Sequence, residues 1–435
     1  MATDRREFVR ACALAGAGAS PILLGAMAQV YVDRTDHRDA ASHWRDGFPA
    51  LKAAGGSLAY LDNAATTQRP QAVLDAIVNF YVADNANPAK VHARARRAAE
   101  SLADARRAIA TFINAPDPLE VIFTRGTTEA INLAAASWGS SQLKAGDEIV
   151  MPIAEHSSNL LPWLAAARRV GARVVVIDVD DEGNIRLDEL RRKMSSRTRL
   201  LAFSHVSNVL GMVNPVKEIT AIAREAGATV FIDGAQGAPH VAVDVRDIGC
   251  DFYAFSGHKM CGPMGSGVLW GRRELLDAMP PFHVGSNMAH EVDFERATFE
   301  HGALKFQAGT PDVAQPVGLA AAARMLTTSR AAVQTHDAAL VEHGLRALRS
   351  VRGLRLIGSA STTNRVPVFS FTIEGRTAGE VAAALDARGI AVRAGDLAAL
   401  PLLKRFGTTE AVRASAYLYN TVDELDRLAK GLGEL

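Results

Sequence analysis

The residues best suited to chemistry surround one lysine, at the end of the stretch Ser256-Gly257-His258-Lys259. An apolar run at 252–255 leads into this stretch, and a glycine-rich run at 260–267 follows it. A lysine held among apolar residues loses its charge through desolvation and becomes a nucleophilic amine that reacts with a carbonyl group. A lone lysine of this kind is more often a solvated residue in a polar turn, so a second signal is needed.

That second signal is Asp233, a carboxylate at the end of another apolar run, 228–232. Pyridoxal phosphate needs a lysine that forms a Schiff base with its aldehyde and a carboxylate that keeps its ring nitrogen protonated. Asp233 directly follows a short apolar run, and Lys259 follows another after a turn of three residues; such runs are typical of buried strands. Lys259 and Asp233 together therefore predict a site for pyridoxal 5'-phosphate.

Three short motifs carry a family resemblance: Asp233-Gly234-Ala235-Gln236, Ser256-Gly257-His258-Lys259 and Gly126-Thr127-Thr128-Glu129. Together they resemble the signature of class V aminotransferases, which are fold type I enzymes dependent on pyridoxal phosphate. The sequence is most similar to their cysteine desulfurase and selenocysteine lyase branch, from about residue 61 onward. The resemblance implies an α/β fold with a large cofactor-binding domain at 58–305, built on a mainly parallel sheet, and a smaller α+β domain at 306–435.

The resemblance also assigns roles to single residues. Lys259 is expected to carry the cofactor and to act as the acid or base at the substrate Cα, with His156 assisting. Cofactor contacts are expected from Thr127, Thr128, His156, Asn208, Asp233, Gln236, Ser256, His258, Lys259 and Thr310. Substrate contacts are expected from Arg413, Asn63 and Arg393. An arginine suits a substrate carboxylate because it binds through two parallel hydrogen bonds.

Thr310 has a particular meaning in this scheme. It belongs to Ala308-Gly309-Thr310-Pro311, which resembles the loop that reaches the cofactor phosphate of the neighbouring subunit in this family. The resemblance therefore implies a homodimer with shared active sites, although the residues themselves show only a turn. No metal site is predicted.

Short apolar runs alternate with helical patterns through the middle of the chain. The runs predicted as strands lie at 121–123, 149–151, 174–177, 200–203, 230–232 and 252–255. Pro70 is predicted to open a helix with an apolar face of Val73, Leu74, Ile77, Val78 and Tyr81, and a second helix is predicted at about 94–113. Such alternation indicates a mainly parallel sheet covered on both faces, where ligands collect at the carboxyl ends of the strands.

Composition narrows the class of protein. The chain has 435 residues, 48% of them hydrophobic, which is enough for a large core and a second, smaller domain. A formal charge of +1 gives no general electrostatic reason to bind nucleic acid or an anionic membrane. The three cysteines, Cys12, Cys250 and Cys261, define no disulfide framework.

The N-terminus differs from the rest of the chain. Arg5 and Arg6 precede a mildly apolar run at 11–27 that ends near an Ala-x-Ala site at 26–28. This pattern predicts a twin-arginine export signal, with cleavage after Ala28 and a folded, periplasmic product. The run is short and interrupted by Pro21, so no stable membrane anchor is expected. Residues 29–57 are predicted to form an N-terminal arm.

One departure from the resembled branch concerns its nucleophilic cysteine. The matching loop here is 393–403, and Ala398 stands where that thiol would be. A methyl group cannot form a persulfide, and Cys250 and Cys261 lie on another segment, so ordinary cysteine desulfuration is disfavoured. Asp396, in the same loop, either helps to select the substrate or caps a turn.

These observations predict an exported pyridoxal phosphate enzyme that acts at the Cα of an amino acid or amino-acid-bearing peptide. The export signal and the missing thiol make a siderophore tailoring enzyme of the pyoverdine type, acting on a glutamyl side group, the leading expectation. The alternatives are a lyase of carbon–sulfur or carbon–selenium bonds, resembling selenocysteine lyase or cysteine desulfurase, and an amino-acid epimerase. A cofactor-binding scaffold without activity is the non-enzymatic alternative.

Overall fold

The computed structural model describes residues 44–435, so the expected export signal and the first part of the arm lie outside the described residues. The strands are β1 (Ala59–Tyr60), β2 (Val121–Thr124), β3 (Glu148–Pro152), β4 (Arg173–Ile177), β5 (Thr198–Ser204), β6 (Thr229–Asp233), β7 (Phe252–Ser256), β8 (Gly267–Gly271), β9 (Ala289–Val292), β10 (Ala297–Phe299), β11 (Leu354–Leu356), β12 (Val368–Ile373), β13 (Ile390–Ala391), β14 (Arg393–Gly395) and β15 (Ala411–Ser415).

The α-helices cover both sheets and connect their strands. They are α1 (Pro49–Ala53), α2 (Gln71–Asn79), α3 (Ala93–Phe112), α4 (Thr127–Gln142), α5 (Ser157–Val170), α6 (Leu187–Lys193), α7 (Val216–Glu225), α8 (Gly237–His240), α9 (Val245–Ile248), α10 (Arg273–Ala278), α11 (Ala314–Arg349), α12 (Ala378–Asp386), α13 (Leu400–Arg405) and α14 (Val422–Gly433). Among the described helices, none combines the length and the apolar character that a membrane crossing requires.

The central sheet has seven strands in the order β2-β8-β7-β6-β5-β3-β4. Only β8 runs against its neighbours, β2 and β7, and the remaining pairs are parallel. The strands predicted from the apolar runs are confirmed, because each run falls within one of β2 to β7. Strands buried on both faces need continuous apolar sequence, and the cores on the two sides of this sheet supply their covering side chains.

A second sheet, antiparallel and four-stranded, has the order β11-β12-β15-β14. Its apolar face packs with α12, α14 and the second half of α11 in a separate core that includes Leu345, Phe369, Leu385 and Leu428. In the β14–β15 pair, Arg393 lies directly opposite Arg413. The short strand β1 pairs in parallel with β13, so the chain that leaves β1 passes beside this sheet.

The described part of the arm is fixed to the C-terminal region. Arg45 forms an ion pair with Glu424 at 2.8 Å, and the ring of Phe48 packs edge-on against Tyr419 with centroids 4.6 Å apart. The hydroxyl of Tyr419 donates to Oδ1 of Asn63. The arm is thus connected, through two side chains, to the segment that follows β1.

Helix α2 departs from its predicted apolar face. Val73 is fully buried, but Leu74, Val78 and Tyr81 are 37%, 56% and 53% exposed. The helix also changes to π-helical turns at Phe80–Asp84. The predicted helix is therefore confirmed, but within this chain much of its apolar face is not covered, which leaves an apolar strip on the surface of α2 and the π-helical turn after it.

Candidate active site

A cavity of about 490 Å³ opens at the carboxyl ends of β3, β5, β6 and β7. Most of the predicted site residues line it: Thr127, Thr128, His156, Asn208, Asp233, Gln236, Ser256, His258, Lys259, Arg393 and Arg413. These residues come from distant parts of the sequence and meet because parallel strands end at one edge of the sheet. Two predicted residues, Asn63 and Thr310, are not among those that line this cavity.

Lys259 ends a short 3-10 turn, Gly257–Lys259, that directly follows β7. Desolvation by the surrounding protein is the main effect that lowers its pKa, to about 8; the charge of Arg413 lowers it further, and Asp233 opposes the shift. A lysine with this pKa is neutral in a substantial fraction of molecules near neutral pH. The amine is therefore suited to nucleophilic attack and to proton transfer.

Asp233 is the last residue of β6 and is 6% exposed. Its Oδ1 accepts a hydrogen bond from the backbone N–H of Ala235 at 2.9 Å. Burial raises the pKa of Asp233, while the charge of Lys259 and the Ala235 hydrogen bond lower it. The next residue must be glycine, since a Cβ at Gly234 would lie 2.1 Å from the ring of Tyr253.

Glu155 is a buried acid that sequence reasoning missed. Its Oε2 accepts from the side-chain amide of Asn159 at 2.6 Å, and its Oε1 accepts from the backbone N–H of Ser204 at 3.0 Å. Desolvation raises the pKa of Glu155 to about 8, and the charge of Asp233 raises it too. Like Asp233, Glu155 follows an apolar strand closely, and this was the available signal.

The N-terminus of α4 forms one wall of the cavity. The backbone N–H of Thr127 donates to Oγ of Ser256 at 2.8 Å, and Oγ1 of Thr128 donates to Oγ of Ser158 at 2.9 Å. His258 completes this end, and burial lowers its pKa to about 4. Hydroxyl groups at the start of a helix of four turns suit an anion such as a phosphate.

His156 caps the start of α5, where its Nδ1 accepts from the backbone N–H of Ser158 at 3.0 Å. Desolvation, followed by the charges of Lys259 and Arg413, lowers the pKa of His156 to about 4. The ring is therefore neutral at physiological pH. Because Nδ1 accepts, the proton of the neutral ring is on Nε2.

Arg413 lies on β15, and its side chain is 5% exposed. Its Nη1 donates to the carbonyl of Asn208 at 3.0 Å, and burial lowers its pKa to about 10. Arg393, on β14, is half exposed and lines the same side of the cavity. Both arginines are therefore positioned for a substrate carboxylate.

The loop after β14 is attached firmly to the cavity rim. The backbone N–H and hydroxyl of Ser157 donate to the carbonyl of Ala398 at 2.7 and 2.9 Å, and Nδ2 of Asn208 donates to the carbonyl of Leu397 at 2.9 Å. Oδ1 of Asp396 accepts from the backbone N–H of Ala398 at 3.0 Å. Asp396 thus caps the turn and also lines the cavity, so its two expected roles are compatible.

Asn63 does not reach the cavity, contrary to the expectation that it contacts substrate. Its Nδ2 donates to the carbonyl of Ser415 at 2.7 Å and to Oδ1 of Asn420 at 2.9 Å. The hydroxyl of Tyr419 also donates to Oδ1 of Asn63, so the whole side-chain amide is engaged in hydrogen bonds that hold the end of β15. No local sequence pattern indicates these long-range partners.

Thr310 lines a different cavity, of about 590 Å³, together with Thr124, Arg125, Ser266 and Gly267. Gln236 does line the first cavity, and its Nε2 donates to the carbonyl of Ala64 at 2.6 Å. Thr310 therefore lies outside the cavity of its own chain, and its contact with the cofactor of a neighbouring subunit stays a prediction.

The two cysteines of the described residues are both fully buried, and neither lines the cavity. Burial raises the pKa of Cys261 to about 12 and that of Cys250 also well above its usual value. Ala398, which is predicted to stand in place of the resembled branch's thiol, lines the cavity. In residues 44–435, no cluster of histidine, cysteine or acidic side chains is arranged to hold a metal ion.

Comparison with known proteins connects this geometry to a family. The family model for "Aminotransferase class-V" matches residues 59–428. A "Cysteine desulfurase" of Synechococcus elongatus is 44% identical over 89% of this chain, which spans 62% of that relative's length. A "Probable cysteine desulfurase" of Halalkalibacterium halodurans is 43% identical, with 88% of this chain and 95% of the relative covered.

Solved structures agree. The crystal structure of the cysteine desulfurase CsdA from Escherichia coli, with an S-sulfonic acid group, has a TM-score of 0.83 and 37% identity. The match covers 91% of this chain and 98% of that one. The fold is thus that of the fold type I enzymes, as predicted.

The leading functional expectation, a siderophore tailoring enzyme acting on a glutamyl side group, is wrong. Two relatives, 44% and 43% identical to this chain over nearly nine-tenths of its length, are named cysteine desulfurase and probable cysteine desulfurase. They support the alternative reading, a lyase similar to cysteine desulfurase. The expected loss of the thiol and the expected export signal stay predictions, and they do not outweigh similarity over nearly nine-tenths of the chain.

Proposed function

Since this chain belongs to the class V aminotransferase family and is a pyridoxal-phosphate-dependent enzyme, we propose that it cleaves a carbon–sulfur or carbon–selenium bond of an amino acid. The observation that carries the proposal is one cavity in which Lys259, Asp233 and Arg413 meet, in a chain similar to cysteine desulfurases. The substrate class is a free α-amino acid with sulfur or selenium on its β-carbon.

The residues of the cavity fit the cofactor. Lys259 offers an amine that burial keeps partly neutral, and Asp233 offers a buried carboxylate for a protonated ring nitrogen. The start of α4, with Thr127, Thr128 and Ser256, offers donors for the phosphate. When bound, pyridoxal phosphate withdraws electrons from the substrate Cα, which weakens its bonds and favours loss of a β-substituent.

The side chains of the cavity then divide the remaining tasks. Arg413 binds the substrate α-carboxylate and fixes the orientation of Cα. Lys259, released from the cofactor, takes the proton from Cα, and its lowered pKa suits that role at neutral pH. His156 remains neutral and supplies a flat ring with an Nε2–H donor at the cavity wall.

We propose that sulfur or selenium leaves without forming a persulfide on residues 44–435. Cys250 and Cys261 are buried with raised pKa values, so neither presents a thiolate to the cavity. Ala398 faces the cavity instead of a thiol. Elimination of sulfide or selenide to solvent then gives pyruvate and ammonia after addition of water, whereas transfer of the sulfur or selenium atom at the zero oxidation state to an external nucleophilic acceptor, such as a thiol, gives alanine.

The test is incubation of the holoenzyme with L-cysteine, L-selenocysteine and a cysteine sulfoxide conjugate. An external thiol is supplied as acceptor. Sulfide or selenide is quantified with pyruvate, the persulfide or selenosulfide of the thiol is quantified with alanine, and the intact mass of the protein is measured by mass spectrometry. We expect release from at least one of these compounds, no persulfide on the protein, and no release by Lys259→Ala. Racemised amino acid without release would support the epimerase alternative and overturn the proposal.

We also propose a homodimer with shared active sites. Two features support it: Thr310 lies outside the cavity of its own chain, and Leu74, Val78 and Tyr81 leave an exposed apolar strip on α2 and the π-helical turn after it. Mixing inactive Lys259→Ala chains with Thr310→Ala chains is expected to restore part of the activity, because one hybrid site combines both intact residues. Sedimentation as a monomer at all concentrations would contradict this.

Export remains a proposal that rests on the sequence. Arg5, Arg6 and the apolar run at 11–27 support it, and they lie outside the described residues. In cell fractionation, the wild-type chain is expected in the periplasm, and an Arg5→Lys, Arg6→Lys variant is expected to remain in the cytoplasm. Equal distribution of the two would rule out this route.

A further inference from the structure

Asp62 lies between the two arginines on the substrate side of the cavity. Arg393 and Arg413 face each other across the β14–β15 pair, where like charges are unfavourable. Oδ2 of Asp62 accepts from Nη2 of Arg393 at 2.6 Å, and Oδ1 accepts from Nε at 3.3 Å. Nη2 of Arg413 lies 3.6 Å from Oδ1 of the same carboxylate. Asp62 therefore connects the two guanidinium groups.

Asp62 is the fixed member of this group. Its backbone forms a parallel β-bridge with Ser415, the last residue of β15, and its side chain is 12% exposed. The side chain of Arg393 is 50% exposed, so much of it is surrounded by solvent. A half-exposed arginine is flexible, and a two-point ion pair with a fixed carboxylate restricts it. Asp62 thus positions Arg393 rather than the reverse.

Arg413 still has an unused donor. Its Nη1 binds the carbonyl of Asn208, but its Nε is a buried donor for which residues 44–435 provide no hydrogen-bond partner. A buried donor without a partner is unfavourable, and a bound carboxylate is an acceptor that can relieve it. Arg393, Arg413 and Asp62 together leave one net positive charge on this side of the cavity, which we call the substrate wall.

The other charged groups of the cavity are not part of the β14–β15 pair, although Lys259 is near enough to Arg413 for that charge to lower its pKa. Lys259 and Asp233 carry opposite charges and come from strand ends of the central sheet, and Asp396 lies on the loop after β14. His156 and His258 are neutral at physiological pH. The net charge that a substrate carboxylate meets at the wall is therefore set by Arg393, Arg413 and Asp62.

We propose that Asp62 is a positioning and specificity-determining residue. It holds Arg393 and Arg413 as one clamp and cancels one of their charges, so that the clamp accepts a single carboxylate and disfavours small dianions. The inference rests on the proposed function only in taking an amino acid as the ligand. Asp62 itself makes no contact with the reacting atoms and acts through the two arginines.

The experiment measures ligand binding to the holoenzyme through the change in its visible absorbance. L-Alanine is the probe, and acetate and sulfate are competitors. In Asp62→Asn, sulfate is expected to gain about tenfold over acetate as a competitor, because the clamp then carries two positive charges. In Arg393→Gln, alanine is expected to bind about tenfold more weakly, since the clamp becomes neutral.

The double variant Asp62→Asn, Arg393→Gln restores one positive charge and is expected to recover part of the alanine binding that Arg393→Gln loses. Asp178→Asn is the control, because both carboxylate oxygens of Asp178 accept from Nε of Arg405, an arginine that does not line the cavity. It should leave alanine binding and the order of the competitors unchanged.

An acetate-to-sulfate preference in Asp62→Asn equal to that of the wild type would overturn the proposal, and so would equal alanine binding by Arg393→Gln and the double variant. If Asp62→Asn does not fold, Arg393→Gln alone decides, because unweakened alanine binding contradicts a clamp of two arginines. None of these measurements needs sulfur release. Failure of the proposed lyase activity is therefore distinguishable from failure of the clamp.

Discussion

The floor and the rim of the cavity are built in different ways. The floor consists of strand ends of the central sheet, where Asp233 and Ser256 are almost fully buried. The rim consists of β14 and the loop that follows it, where Arg393 and Asp396 are exposed. The floor is positioned by the backbone of a parallel sheet, and the rim by side-chain hydrogen bonds and ion pairs.

This difference separates two functions. Groups on the floor are buried and have shifted pKa values, which suits the binding of a cofactor and the transfer of protons. Groups on the rim are accessible to solvent and are attached by a few contacts, which suits the choice of substrate. Changes on the floor should therefore abolish chemistry, whereas changes on the rim should alter affinity.

The largest effect is expected from Lys259→Ala. Removing the amine removes both the cofactor attachment and the base at Cα, so turnover should fall by at least about 10³-fold. Turnover assays, together with the visible absorbance of bound cofactor, measure this. Lys193→Ala, at an exposed lysine on α6, is the control. Retention of the absorbance band in Lys259→Ala would place the cofactor elsewhere.

A second test uses pH on the floor alone. Only the neutral amine of Lys259 attacks an aldehyde, so the rate at which apoenzyme takes up pyridoxal phosphate should rise by about tenfold per pH unit and level off near pH 8. Stopped-flow absorbance measures this rate, with a lysine peptide as the reference. A rise that continues to the ordinary lysine pKa of 10.5 would show that burial does not lower the pKa.

Arg413→Gln tests the buried arginine on β15, which lies between the floor and the rim. Loss of charge-assisted hydrogen bonds, each about 1.5–3 kcal/mol, should raise KM by about 10- to 100-fold and affect kcat less. Steady-state kinetics gives both constants, and Arg405→Gln, far from the cavity, serves as the control. An equal fall in kcat with unchanged KM would mean that Arg413 acts in the chemistry rather than in binding.

The smallest effect is expected from Ser157→Ala. Its hydroxyl bond to the carbonyl of Ala398 is lost while its backbone bond to the same carbonyl remains. A single neutral hydrogen bond contributes about 0.5–1.5 kcal/mol, so KM should rise by about two- to tenfold. Ser350→Ala, which loses a comparable hydroxyl-to-carbonyl bond on the surface, should leave KM unchanged. A large loss of kcat would contradict the division between floor and rim.

The floor was predictable from the sequence and the rim only in part. Asp233 and Ser256 directly follow apolar runs, Lys259 lies three residues beyond Ser256, and a parallel sheet gathers such positions at one edge. Glu155 also lies shortly after an apolar run, at 149–151, but the sequence interpretation gave a role only to its neighbour His156. Helix α4 was located through Gly126 and Thr127 for the same local reason.

Residues whose roles depend on distant partners could not be assigned from the sequence. Asn63 binds Ser415 and Asn420, near the opposite end of the chain, and no local pattern indicates this. Asp62 joins Arg393 and Arg413 in the same way. Such contacts arise from the pairing of β1 with β13, which follows from tertiary packing rather than from local sequence preference.

The contacts of the arm set a practical limit on truncation. A shortened chain that begins after Phe48 would lack both the ring that packs on Tyr419 and the Arg45 partner of Glu424. Tyr419 binds Asn63, whose amide holds the end of β15, two residues beyond Arg413. Proteolytic trimming at the front of the protein would therefore loosen carboxylate recognition, and expression vectors should retain this segment.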